Sequence, residues 1–154
     1  ETLKTQHYFK LRRGPYIIAS VMDESVSSAP LSMQGHFVDI FNPKLPILKE
    51  RILQPNERAL LYDLDWARRQ NIRAGIVAAS TRTTQEIVGE KRFQFTARGP
   101  MNTHACAQVL LPAAALSVET APSIVVEQQW DTENSVLWLS FENTAQEVVF
   151  TITW

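Results

Sequence analysis

The tail of the chain constrains its fold more than any other stretch. Residues 135–141 (Ser-Val-Leu-Trp-Leu-Ser-Phe) and 147–154 (Glu-Val-Val-Phe-Thr-Ile-Thr-Trp) are two runs rich in β-branched and aromatic side chains, which pack well on a pleated surface. A short polar connection, 142–146, joins them, so the pair is predicted to be a β-hairpin. In the second run Val148, Phe150, Ile152 and Trp154 share one phase and Glu147, Val149, Thr151 and Thr153 the other. Side chains alternate across a strand, so this strand is expected to have one buried face.

Strand-like segments recur along the rest of the chain. Residues 7–12 read as a strand, Arg13-Gly14-Pro15 as a turn, and 16–22 as a second strand, apolar on both faces and therefore expected in the middle of the domain. Residues 23–30 carry the charged and turn-forming residues of an exposed loop. Residues 31–41 alternate well enough for a strand, with Gly35 as a bulge candidate. Pro43 and Pro46 are expected to impose extended backbone, because proline disfavours the α region in the residue before it. A further strand is read at 47–53, closed by a turn at 54–57. Beyond it, 74–80 is small and apolar and suits a buried strand. Residues 91–97 alternate with Phe93 and Phe95 on one face, and 103–111 and 124–130 complete a count of about ten strands. Arg98-Gly99-Pro100 echoes the earlier Arg-Gly-Pro turn but is too short to be a repeat.

Residues 58–71 admit two readings. Leu60, Leu61, Leu64 and Ala67 have helical spacing, with Pro55 suited to a first turn and Asn71 to a terminus. The alternative is a strand through 59–62 followed by one turn of helix around 65–68. The second is adopted, because it continues the alternation of strand and turn. The fold class that follows is all-β: a two-sheet antiparallel β-sandwich, jelly-roll or immunoglobulin-like, with at most one short helix near 65–70.

Size supports one sandwich domain over 1–154, since 154 residues at 45% hydrophobic content supply the material of a core. Lys and Arg number 15 against 16 Asp and Glu, a formal net charge of -1. No whole-molecule field would gather a polyanion, and nucleic acid is not expected as a partner. The single cysteine, Cys106, forms no internal disulfide. No apolar run approaches the roughly 20 residues that span a bilayer, so no membrane insertion is expected. The start carries no signal-peptide stretch and is Glu, not Met, so the chain is expected to be a processed mature form or, in preference, a piece excised from a longer polypeptide.

Residues able to do chemistry are few. Asp23 and Glu24 are adjacent, and neighbours on a strand point to opposite faces, so they are expected to open a solvated loop instead of flanking one bond. Asp63 and Asp65 have the spacing for a shared Ca²⁺ but no glycine-centred ligand loop; turn and helix capping before Trp66 is expected. His104 and Cys106 share a strand face at about 6 to 7 Å between Cα atoms, whereas a dyad needs hydrogen-bond reach and a third group to orient the base. They also lack the partners of a metal site, so a buried structural cysteine is expected, with no metal and no cofactor. Aromatic rings offer apolar platforms to sugar C–H faces. Trp138 and Trp154 lie in alternating strands and are assigned to packing, whereas Trp66 and Trp130, at polar connections, and Tyr62 are the candidate ligand-binding residues.

Residues 13–20, Arg-Gly-Pro-Tyr-Ile-Ile-Ala-Ser, a turn leading into an apolar strand, resemble the Gly-Pro-aromatic/aliphatic-Ala segment of C-terminal β-sandwich modules in bacterial polysaccharide-degrading enzymes. Residues 35–41 with Pro43 and Pro46, 60–64, and the Ile152-Thr153-Trp154 ending are similar to parts of such modules. The resemblance implies a non-catalytic module that supports an α/α-barrel glycoside hydrolase domain of the same polypeptide, in an extracytoplasmic setting. Its partners would be that catalytic domain and polysaccharide. The alternatives are an autonomous carbohydrate-binding module, an adhesion or assembly domain using a sheet edge or apolar patch, and a small sandwich enzyme.

Overall fold

The structure is a computed structural model that describes residues 6–23 and 25–154. The chain divides into two compact units, one running to Asn42 and resuming at Pro46–Gln70, the other made of Pro43–Leu45 and Asn71–Trp154.

In the first unit, β1 (Tyr8–Arg13), β2 (Tyr16–Val21), β3 (Leu31–Asp39), β4 (Ile47–Leu53) and β5 (Arg58–Asp63) form one antiparallel sheet in the order β1-β2-β5-β3-β4. Helix α1 (Leu64–Arg69) follows β5 directly. The strand-then-short-helix reading of 58–71 therefore holds. Gly14, at φ +54, makes the β1–β2 turn, and Gly35, at φ +145, sits at the register shift between Gln34 and Phe37, the bulge expected there. The core of this unit is one sheet face: Ile17, Ala19, Val21, Ala59 and Leu61 with Met33, Phe37 and Leu53.

In the second unit the strands are β6 (Gly75–Ala79), β7 (Arg82–Val88), β8 (Arg92–Arg98), β9 (His104–Leu110), β10 (Ser117–Ala121), β11 (Val126–Asp131), β12 (Val136–Glu142) and β13 (Val148–Thr153). They form two four-stranded antiparallel sheets, β11-β12-β9-β6 and β10-β13-β8-β7. Alternate residues of both meet in a common core, Phe93, Phe95, Phe150 and Ile152 from one sheet and Val109, Leu137, Leu139 and Phe141 from the other. This unit is a two-sheet β-sandwich. The fold is all-β as read from the sequence, with three antiparallel sheets and one short helix among the described residues.

Three expectations are corrected. The tail is not a hairpin: β12 pairs with β9 and β11, while β13 pairs with β8 and β10, so the chain crosses between sheets at 143–147. Buried Asn143 holds that crossing to the turn before β9, with its backbone N–H donating to Thr103 O at 2.9 Å and its side-chain Nδ2 to Thr103 Oγ1 at 3.0 Å. Second, β2 is not buried on both faces; Tyr16 and Ile18 are each 43% exposed. Third, Leu45, the residue before Pro46, is at φ +51 and not extended. Its side chain is fully buried and its carbonyl accepts a hydrogen bond from Gln108 Nε2 at 2.9 Å. Those contacts outweigh a local cost of about 1–3 kcal/mol.

Strands β7 and β10 escaped the sequence reading. Both are edge strands, and Arg82-Thr83-Thr84-Gln85-Glu86 and Ser117-Val118-Glu119-Thr120-Ala121 are too polar to announce a buried face.

Candidate functional site

The feature that distinguishes the first unit is an apolar row on the outer face of its sheet. The register aligns Leu11 with Ile18 and Ile18 with Leu60, three aliphatic side chains across three adjacent strands. Phe9 and Tyr16 flank the row on the same face, at 55% and 43% exposure. Arg13 lies opposite Tyr16, and Arg58 opposite Ser20, so two guanidinium groups rim the patch. Strand β1 alternates Phe9 and Leu11 with Lys10 and Arg12, and simple amphipathic reasoning would turn the aromatic and aliphatic phase inward. The structure does the reverse. Arg12 shares its phase with the core residue Ile17 and reaches Asp63, with Nη1 to Oδ2 at 2.8 Å. Tyr8, in the same phase as Arg12, packs on the core, so the inward phase of β1 is held at both ends.

Asp63 and Asp65 organise the adjoining end of the sheet. Asp63, 4% exposed, closes β5 and caps α1, with Oδ1 accepting from the Trp66 N–H at 3.0 Å. Its Oδ2 faces Arg12, and Arg69 at 3.8 Å. Asp65, in the first turn of α1, accepts from the His36 backbone N–H at 3.1 Å, lies 3.1 Å from His36 Nδ1, and pairs with Arg68 at 2.7 Å. Burial, the largest single influence on Asp65, pushes its carboxyl up. The hydrogen bonds from the His36 backbone and ring, with the charges of His36 and Arg68, outweigh it and hold the group below the usual carboxylate range. Of the two acids expected to cap, Asp63 caps α1, whereas Asp65 lies within its first turn and ties it to the β3 bulge through His36.

The candidate residues named from sequence fall in different places. Tyr62 is 6% exposed and packs edge-on against Tyr16 with ring centroids 5.5 Å apart. Trp66 is half-buried, its ring over the Gly14 turn. Trp130 belongs to the other unit, aligned with the core residue Leu137 and packed against the sandwich interior. Trp138 donates its indole N–H to Lys44 O at 3.1 Å, and Trp154 packs on the core edge. The residues of the apolar row, Leu11, Ile18 and Leu60, carried no sequence signal as a site. Only the cross-strand register joins them.

Cys106 is a buried free thiol and His104 is exposed. The Cys106 N–H donates to Ser80 Oγ at 2.8 Å, tying β9 to the end of β6. Asp23 is exposed and its Oδ1 accepts from the Ser25 N–H at 2.9 Å, the turn chemistry of a loop start; Glu24 lies outside the described residues. Among the described residues no group of three or more His, Cys, Asp or Glu is placed to hold a metal ion. No described helix is long and apolar enough to cross a membrane. No known family model, curated protein or solved structure matches the chain.

Proposed function

We propose that the chain is a non-catalytic β-sandwich module that packs against, and stabilises, a catalytic domain of the same polypeptide in a polysaccharide-degrading enzyme. The observation that carries this reading is the outward-facing row Leu11, Ile18 and Leu60 with Phe9 and Tyr16 beside it. Contiguous exposed apolar surface with a polar rim marks interaction sites. With Arg13 and Arg58 at its rim, the complementary surface is apolar at its centre and acidic at its border. The enzyme class comes from the sequence resemblance. A supporting role fits the acid groups as well, since Asp63 and Asp65 are engaged in capping and ion pairs that hold α1 in place.

The test is the full-length protein carrying Leu11→Glu and Ile18→Glu. The expected result is a catalytic domain whose melting temperature falls by several degrees and whose proteolysis at the domain junction speeds up, with the β-type circular dichroism of the module unchanged. An unchanged catalytic-domain melting temperature, or a reading frame that encodes no catalytic domain, overturns the reading.

A further inference from the structure

The outer face of the sheet β10-β13-β8-β7 carries a cavity of about 290 Å³ lined by Arg82, Thr84, Gln85, Arg98 and Glu147. Two features set it apart from ordinary surface. Arg82 and Arg98 are aligned directly opposite each other on β7 and β8, and like charges in that position destabilise a sheet. Glu147 pairs with Arg98 at 3.3 Å, while Arg82 has no carboxylate partner among the described residues. Next to them the register of β7 shifts between Thr84 and Ile87, and Gln85 takes φ +55. That left-handed backbone, unfavourable for a side-chain-bearing residue, brings the Gln85 amide over buried Thr96. Thr96 Oγ1 donates to Gln85 Oε1 at 3.2 Å, which leaves the Gln85 Nε2 group as a donor to the cavity.

The charge of this cavity selects its ligand. Two guanidinium groups against one carboxylate leave a single net positive charge, which balances a monoanion and falls one short of a phosphate dianion. A planar carboxylate fits the guanidinium fork. The Thr84 hydroxyl, the Gln85 amide and the remaining acceptor capacity of Glu147 suit hydroxyl groups next to that carboxylate.

We propose that this cavity binds a hydroxylated monocarboxylate of the sugar-acid class, a hexuronate unit of an acidic polysaccharide, with its carboxylate between Arg82 and Arg98 and its hydroxyls on Thr84, Gln85 and Glu147. The preference for a monoanion stands on the charges and register alone. The choice of a sugar acid over other hydroxy acids rests on the proposed function, and the site lies on a different sheet from the apolar row, so the two tests fail independently.

The experiment is a titration of the protein followed by amide NMR, with methyl glucuronide, methyl glucoside, acetate and inorganic phosphate as probes. Saturating shifts at 82–85, 98 and 147 are expected with millimolar methyl glucuronide, and none with methyl glucoside at the same concentration. Arg82→Gln is expected to weaken glucuronide binding at least tenfold while keeping the native spectrum and leaving the melting temperature equal or higher. Glu147→Gln is expected to admit phosphate. Equal response to glucoside and glucuronide, acetate binding as tightly as glucuronide, no saturable response at all, or full affinity in Arg82→Gln would overturn the proposal. Loss of binding in Arg82→Gln together with an unaltered junction in Leu11→Glu and Ile18→Glu would keep the sugar-acid site and reject only the supporting role.

Discussion

The rings of Phe141 and Phe150 lie with centroids 4.7 Å apart and planes inclined at 50°, one ring from β12 and the other from β13. Phe150 also stacks on Phe95 at 4.7 Å with planes 3° apart. The chain has crossed from one sheet to the other between two residues of the same aromatic cluster. Phe150 is therefore in contact with both layers of the sandwich at once.

Phe150→Ala is expected to cost about 3–5 kcal/mol of unfolding free energy, because it removes a fully buried ring that both layers share. Ile87→Ala, at a position 54% exposed on an edge strand, is expected to change stability by about 0.5 kcal/mol or less. Urea denaturation of both variants checks the contrast.

Asn143 and Gly99 are expected to be coupled. A Cβ on Gly99 would come within 2.4 Å of Asn143 Nδ2, so Gly99→Ala must displace the amide that bonds Thr103 and accepts from Thr81. Each of Gly99→Ala and Asn143→Ala is expected to destabilise by about 1–3 kcal/mol. In the double variant the amide is already gone, so the combined loss falls short of the sum by at least about 0.5 kcal/mol. Additive losses in a double-mutant cycle would refute the coupling.

Gly35→Ala is expected to destabilise the first unit by about 1–3 kcal/mol. The new Cβ would meet the Phe37 ring at 2.8 Å, and the backbone there is at φ +145. Phe37 is 3% exposed within the sheet core, so the ring has no free space to swing into. Thermal unfolding of the variant against wild type measures the effect.

Asp65 is expected to contribute to acid unfolding. Its carboxyl in the folded protein lies below the ordinary value of 3.8, so the folded state binds fewer protons at this group than the unfolded chain does. The stability it supplies is fully present above the unfolded value and is lost as pH falls below 3.8 through the lowered folded one. Asp65→Asn should lower stability at neutral pH and flatten this part of the acid limb. Denaturant midpoints measured from pH 6 down to acid unfolding give the comparison. A variant whose acid limb parallels wild type rules the assignment out.

The candidate site was only partly legible in the sequence. Asp63 as a cap before Trp66 could be read locally, because capping needs only a short-range spacing, and the structure places it so. The row Leu11, Ile18, Leu60 could not, since it depends on the β1–β2 and β2–β5 registers. The Arg82 and Arg98 pair likewise exists only once β7 is laid against β8.

Legible along the chain alone are the all-β class, most strand positions, the Gly35 bulge, the short helix after β5 and the buried phase of β13, where Val148, Phe150 and Ile152 lie at 2% exposure or less. These follow from side-chain alternation and local backbone preference, which act over a few residues. Which strands pair, that β12 and β13 part company at Asn143, and that Leu45 takes a left-handed backbone before a proline emerge only in the folded chain. The reason is physical: pairing, polar anchoring and the burial that holds a strained residue in place are contacts between segments far apart in the chain, and no local spacing encodes them.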